Sequence, residues 1–322
     1  MFELTAENAA TYLRRPCRAV ALGGGVSNTV LLVEAGAERF VLKQSLGKLR
    51  VEQDWFSDRA RIFRESAALR RLASVLPDGT VPQVLFEDRT NYLFAMTAAP
   101  PHSQTWKEQL LHGEVSDEVA AQIGEVLGAM IMSTWRDKAC EAEFGDQTVF
   151  DELRIDPYYR TAALRNPDLA ERLSELITQS SERRVCLVHG DWSPKNFLVA
   201  ESRVMVIDFE VIHYGDPSYD AAFLLNHLLL KSFYRKQWQP RYRSAALSFW
   251  GALQRRTPAE ADWFELATIR HLGALLLARV DGKSPAEYIA ADDLKRTVRR
   301  FACDLIVNPP HKIESVWQRL LD

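Results

Sequence analysis

The chain has 322 residues, 47% of them hydrophobic and 26% charged, with a formal net charge of −3 at pH 7. That length accommodates two lobes and the balance is ordinary for a globular protein. No run approaches the ~20 apolar residues of a membrane-spanning helix, and aromatic and basic residues form no nucleic-acid motif. Cys17, Cys140, Cys186 and Cys303 are scattered without metal-site spacing, which suggests reduced thiols and a cytoplasmic setting. The start, Met1-Phe2-Glu3-Leu4, lacks the charged and apolar regions of a secretory signal.

In chain order, Val20-Ala21-Leu22, the glycines Gly23, Gly24 and Gly25, and Thr29 to Val33 read as strand, glycine turn and strand, with backbone N–H groups able to meet phosphate oxygens. Three glycines also suit an ordinary hairpin turn, so they gain weight only from the next strand. That strand, Phe40-Val41-Leu42-Lys43-Gln44, is a further β-type run, and it places Lys43 eighteen residues after Gly25. A helix opening at Asp58 and running to about Ser74 carries an apolar stripe of Ile62, Ala67-Ala68-Leu69 and Leu72. Glu65 on that helix is the natural partner for Lys43, with Glu52 as the alternative.

Gln83 to Glu87 and Asn91 to Met96 read as two strands meeting at Asp88-Arg89-Thr90, and Met96-Thr97-Ala98-Ala99-Pro100-Pro101 changes from β pattern to a proline-marked connection. Beyond it the chain is helical in character. Asp117 to Trp135 follows Ser116 as a cap and is apolar at Val119, Ile123, Val126-Leu127 and Met130. Residues 161–180, 221–238, 242–256, 258–279 and 285–306 read similarly, punctuated by Pro217, Pro240, Pro258 and Pro285. Trp106, Tyr158, Tyr159, His227, Trp263 and His271 are candidates to line an acceptor pocket, against the plainer reading that aromatics at helical spacing are core.

The most informative run is Val188-His189-Gly190-Asp191-Trp192-Ser193-Pro194-Lys195-Asn196, followed after apolar residues by Val206-Ile207-Asp208-Phe209-Glu210. An Asp, an Asn five residues on and a second Asp twelve further is the spacing of a base and two magnesium ligands in kinase-type phosphoryl transfer. The transition state spreads charge over phosphoryl oxygens, so positioning and charge neutralisation are the main tasks. Asp208 and Asn196 offer the hard oxygens Mg²⁺ prefers, Asp191 would orient the acceptor hydroxyl and take its proton, and His189 would brace the loop. Short apolar stretches on both sides suit a small hairpin holding the loop.

These residues resemble the aminoglycoside phosphotransferase and choline kinase superfamily, small-molecule relatives of protein kinases. The continuation Tyr214-Gly215-Asp216-Pro217-Ser218-Tyr219-Asp220 into an apolar helix is similar to that family's segment after the metal Asp. There Asp220 would fix the catalytic loop or serve as an ordinary helix cap. Leu42-Lys43-Gln44 through Arg50, Trp55 and Asp58-Arg59-Ala60-Arg61 also resembles methylthioribose kinase, a kinship that does not fix the substrate. The resemblance implies an α+β, bilobal protein-kinase-like fold, with a small β-rich ATP-binding lobe over residues 1–98 and a larger, mainly helical catalytic lobe over 99–322. It further implies that Lys43 holds ATP phosphates and that adenine meets main-chain groups near Met96 to Ala98.

Two features depart from protein kinases. Glu210 stands where they carry a permissive Gly, and only seven residues separate Asp208 from Asp216, leaving no room for a long activation loop. The expected activity is therefore Mg²⁺- and ATP-dependent phosphorylation of a small-molecule hydroxyl, on a sugar-like (methylthioribose-like) acceptor, an aminoglycoside or an amino alcohol. Residues 221–322 carry sixteen Lys plus Arg against ten Asp plus Glu, which tilts away from polycations toward a neutral or sugar-like acceptor. A nucleotide-binding regulatory module and a protein kinase are the alternatives. The sequence does not address oligomeric state.

Overall fold

The computed structural model describes residues 2–23, 28–47 and 58–320. Its contacts divide into two compact units, one of residues 1–103 with 205–210 and the other of residues 104–204 with 211–322.

The first unit opens with α1 (Ala9–Leu13) and builds an antiparallel sheet from β1 (Arg18–Ala21), β2 (Asn28–Ala35) and β3 (Glu38–Ser45), then α2 (Arg61–Ala73), β4 (Val84–Asp88) and β5 (Leu93–Thr97). The strand order is β1-β2-β3-β5-β4. Side chains of a strand alternate between faces. Phe40 and Leu42 of β3 join Leu31, Val33, Leu93 and Ala95 in one apolar cluster with Leu4 and Ala9, while Val41 and Lys43 take the opposite face. Register pairs Lys43 with Phe94 and Val41 with Met96.

Helix α2 buries Ile62, Glu65, Ala68, Leu69 and Leu72, spacings of three and four that place them on one side. The stripe read from sequence is therefore the packed face, with Glu65 inside it. The helix begins three residues after Asp58, whose Oδ1 accepts the Ala60 N–H at 2.9 Å. The segment 205–210 is anchored in this unit by the Val206 N–H, which donates to the Thr80 carbonyl at 2.8 Å.

In the second unit, β6 (Gln104–Thr105) leads into α3 (Trp106–Leu111), α4 (Asp117–Thr134) and α5 (Lys138–Phe144). Ser116 caps α4 as its sequence suggests, its Oγ accepting the Val119 N–H at 3.2 Å. Next, α6 (Thr148–Phe150), a π-helical stretch Asp151–Arg160 and α7 (Thr161–Arg165) run on, followed by α8 (Ala170–Glu182). The continuous helix expected over 161–180 is broken at Asn166, because Pro167 opens a 3₁₀ turn there. The π-helical stretch, with Pro157 inside it, has no counterpart in the sequence reading.

Strand β7 (Cys186–Val188) enters the His-Gly-Asp loop, and β8 (Phe197–Ala200) leaves it toward β9 (Arg203–Val206). The strands flanking the loop do not pair with each other. β7 pairs antiparallel with β10 (His213–Gly215), matching Val188 with His213, and β8 pairs with β6.

The remainder is α9 (Ser218–Tyr234), α10 (Gln239–Gln254), α11 (Phe264–Asp281), α12 (Asp292–Val307) and α13 (Ile313–Arg319). α9 to α12 match the expected helices, with ends shifted by a few residues and the starts of 258–279 and 285–306 by six and seven; α13 has no counterpart in the sequence reading. α4 lies closely against α10: a Cβ on Gly124 would stand 2.3 Å from the Phe249 carbonyl oxygen, so a larger residue there would force the helices apart. No helix of the described residues is long and apolar enough to cross a membrane.

Candidate functional site

One set of polar groups lies in the first unit. Lys43 is 3% exposed, and Glu65 is 1% exposed. The Lys43 Nζ lies 2.7 Å from Glu65 Oε2 and 2.8 Å from Asp208 Oδ1. Burial disfavours the ammonium, but Asp208, Glu65 and Glu210 outweigh it and raise its pKa. Glu65 is pushed upward by burial, against the pull of Lys43. Glu65 Oε1 also accepts the Phe209 N–H at 3.3 Å, so the carboxylate ties the lysine to the segment bearing Asp208.

Asp208 has φ +69°, a left-handed state uncommon outside glycine. Beside it Glu210 Oε2 accepts the Asn28 amide at 2.9 Å. The residue read as a departure from protein kinases thus has a structural tie to the first residue of β2. Gly23 is described, and nothing among the described residues lies within 4 Å of where its Cβ would be; Gly24, Gly25 and Glu52 fall outside the described residues. Met96 and Thr97 end β5, where the Thr97 N–H donates to the Gln83 carbonyl at 2.9 Å, and Ala98 follows the strand.

The second set lies in the second unit. Asp191 is 4% exposed and its Oδ2 meets Lys195 Nζ at 2.8 Å and Arg154 Nη2 at 3.1 Å. Burial would raise its pKa; Lys195 and Arg154 overcome that and hold the carboxyl well below the usual range. Asn196 donates its side-chain N–H to the Asp191 carbonyl at 2.9 Å, which directs the amide nitrogen into the loop and leaves the oxygen as the amide's hard donor. His189 Nδ1 accepts the Asp191 N–H at 3.1 Å, and its ring packs edge-on against Trp192 at 5.5 Å. This is bracing geometry.

Asp220 is fully buried, and its two oxygens accept the N–H groups of His189 at 2.6 Å and Gly190 at 2.9 Å. Asp220 is not the cap: it lies inside the first turn of α9, whose N-cap position is Pro217, and Asp216 Oδ1 accepts the Ser218 N–H at 3.0 Å just ahead of it. Gly190 is required twice over: its φ is +76°, and a Cβ would stand 2.9 Å from Val211 Cγ1.

Arg154 and Lys195 were not singled out by sequence. Lys195, four residues after Asp191, carries a spacing signal. Arg154 carries none, because its position depends on the π-helical stretch. Among the aromatic candidates, Trp106, Tyr159 and His271 are fully buried. Trp106 packs on Phe197 with centroids 6.2 Å apart, and the Tyr159 hydroxyl meets His271 Nδ1 at 2.7 Å, so these three are core. Arg183 covers the Trp263 ring at 4.4 Å.

No cluster of three or more His, Cys, Asp or Glu that could hold a metal ion occurs among the described residues. Mg²⁺ does not require one, since it binds through one or two protein oxygens with phosphates and water. Asp208, with its side chain 30% exposed, and the Asn196 amide are donors of that hard type.

A family model for the phosphotransferase enzyme family (APH) matches residues 18–269. Methylthioribose kinase 2 of Oryza sativa subsp. japonica is 28% identical over 66% of this chain and 56% of its own length. Methylthioribose kinase of Escherichia coli O45:K1 is 28% identical over 67% of this chain and 58% of its own. The chain thus spans less than three fifths of the length of these curated relatives. Among solved structures, an amicoumacin kinase in complex with AMP-PNP and Ca²⁺ superposes with TM-score 0.60 at 14% identity, covering 94% of this chain and 91% of that one. The gentamicin complex of APH(2")-IIa superposes with TM-score 0.51 at 15% identity, covering 98% and 99%. The α+β, protein-kinase-like fold expected from sequence is the fold these structures share, and the chain belongs to the phosphotransferase enzyme family.

Proposed function

We propose that the chain is an ATP- and Mg²⁺-dependent phosphotransferase that phosphorylates a hydroxyl of a small molecule. The observation that carries this reading is the buried Lys43 ammonium shared by Glu65 and Asp208 at 2.7–2.8 Å. An ammonium held in place by carboxylates is a cation pre-set for ATP phosphates. Gly23 to Gly25 lend backbone N–H groups to the same phosphates, and main-chain groups near Met96 and Ala98 take adenine. Asp208 and Asn196 would be the residues to hold Mg²⁺, which would supply charge neutralisation to the transferred phosphoryl group.

Asp191 receives the acceptor hydroxyl. Its low basicity suits orientation of the nucleophile and late proton acceptance, which a loose phosphoryl-transfer transition state requires. Lys195 and Arg154 fix the carboxylate. Residues 1–98 serve as the nucleotide lobe and 99–322 as the acceptor lobe. The methylthioribose kinase relatives support a sugar-like, hydroxylated acceptor.

The test is Mg²⁺-dependent ADP release from ATP, measured against sugars including methylthioribose, aminoglycosides, choline and ethanolamine, with Asp191→Asn as control. Acceptor-stimulated release that disappears in the variant supports the proposal. Equal release by the variant removes Asp191 from its role. A second reading, a nucleotide-binding module without transfer, draws on the double cationic grip on Asp191. Tight nucleotide binding with no release toward any acceptor would favour it.

A further inference from the structure

Lys231 of α9 is 0% exposed. Its Nζ has one hydrogen bond among the described contacts, a long 3.5 Å approach to the His227 carbonyl one turn earlier, and it sits 5.4 Å from the Tyr288 ring centroid. The charged groups acting on it are Lys107 and Arg279, both cations. An ammonium removed from water without a counter-charge costs several kcal/mol, which is why buried charges are normally paired.

The surroundings extend the pattern. Arg279 donates from Nη1 to Ser284 O at 2.6 Å, to Ser284 Oγ at 3.0 Å and to the Tyr158 hydroxyl at 3.3 Å. Its Nε is buried without a hydrogen-bond partner among the described residues, as is the Tyr288 hydroxyl. The Phe223 ring packs between Tyr158, 6.0 Å away, and His227, 5.3 Å away. The His227 imidazole is within electrostatic reach of Lys231, Arg279, Asp191 and Lys195. The second unit therefore holds, within electrostatic reach of His227 and of Lys231, a buried ammonium and two half-buried cations, Arg279 and Lys107, with no ion pair to a carboxylate among the described residues.

We propose that the acceptor carries, besides the hydroxyl presented to Asp191, an oxyanion (a carboxylate or a phosphate), held by Lys231, Arg279 and Lys107. The assignment rests on the phosphotransferase reading for the role of Asp191. It excludes polycationic acceptors, whose ammonium groups would meet like charge. Burial, with Lys107 and Arg279 acting in the same sense, lowers the Lys231 pKa to about 7; a bound oxyanion would restore its proton and complete the missing pair.

The binding test uses inorganic phosphate and acetate as probes, at constant ionic strength set with chloride, read by thermal unfolding and calorimetry on the full chain. Phosphate, acetate or both should bind the wild type, and Lys231→Met should weaken that binding at least tenfold. The variant removes a buried charge while keeping side-chain length, so it should fold with an unchanged or higher midpoint; Lys107→Met is the second variant. Preference for one probe distinguishes phosphate from carboxylate. Absence of binding by both probes, or binding by Lys231→Met as tight as by the wild type, overturns the proposal. A parallel arm compares ADP release with glycerol, D-glycerate and glycerol 3-phosphate. Phosphorylation of glycerol as fast as of D-glycerate and glycerol 3-phosphate, with all three rates indifferent to Lys231→Met, would overturn the oxyanion site and leave the kinase reading standing. No ADP release with any acceptor, alongside Lys231-dependent anion binding, would do the reverse.

Discussion

Arg154 contacts the loop bearing Asp191 at two points: its Nη2 lies 3.1 Å from Asp191 Oδ2, and its Nε donates to the Gly190 carbonyl at 2.7 Å. The guanidinium thereby fixes both the direction of the carboxylate and the turn before it. Arg154→Met should lower kcat by roughly 10²-fold, the scale set by a misplaced reacting group. Removing a cation also raises the Asp191 pKa, so the acid limb of the kcat/KM profile should move to higher pH. A pH–rate series on both proteins checks this; an unshifted limb would show that Asp191 does not govern it.

Asp191→Asn keeps the size of the side chain but cannot accept a proton. Turnover should fall about 10²- to 10⁴-fold, while the nucleotide dissociation constant changes little because Lys43, Glu65 and Asp208 are untouched. Steady-state ADP release and calorimetry with an ATP analogue measure the two effects separately.

Lys43→Met strands Glu65 beside Asp208 and Glu210. Breaking a buried pair on one side costs about 3–5 kcal/mol, so the midpoint of unfolding should drop. The loss depends on pH. Glu65 already has a raised pKa, and removing Lys43 raises it further. Above pH 4.5 the folded variant then holds a proton the unfolded chain has released, and stability falls as pH rises. Denaturant melts at about pH 5.5 and about pH 8 should show the larger deficit at the higher pH.

Asp220 has its pKa raised from 3.8 to about 7, chiefly by burial. Between those values the folded state binds more protons than the unfolded one, so this group's contribution to stability declines as pH rises from about 4 to about 7. Asp220→Asn removes the titration and loses one of two backbone acceptors at His189 and Gly190. The wild type should be the more stable protein, with its advantage shrinking across that window. An advantage that grew with pH would mean that Asp220 is ionised throughout.

The recognisable part of the site was the part built from short spacings. Asp191, Asn196 and Asp208 sit within eighteen residues of each other, and the chemistry of phosphoryl transfer explains their types. Glu65 was readable because helical periodicity placed it on the stripe that faces the sheet. Lys43 was readable because it closes a β-type run eighteen residues after Gly25. Asp220 was readable only as one of two roles, and its hydrogen bonds run to the His189 and Gly190 N–H groups of the loop.

Sequence by itself determined a β-rich first part, a mainly helical remainder and the candidate phosphoryl-transfer residues, because periodicity and loop spacing are local and survive without knowledge of the fold. Tertiary structure alone decided that β7 pairs with β10, that Arg154 reaches Asp191 from a π-helical stretch, that Trp106, Tyr159 and His271 are core, and that Lys231 lies buried beside other cations. Each of those depends on residues brought together from distant parts of the chain, where burial and charge act through space and leave no pattern along the sequence.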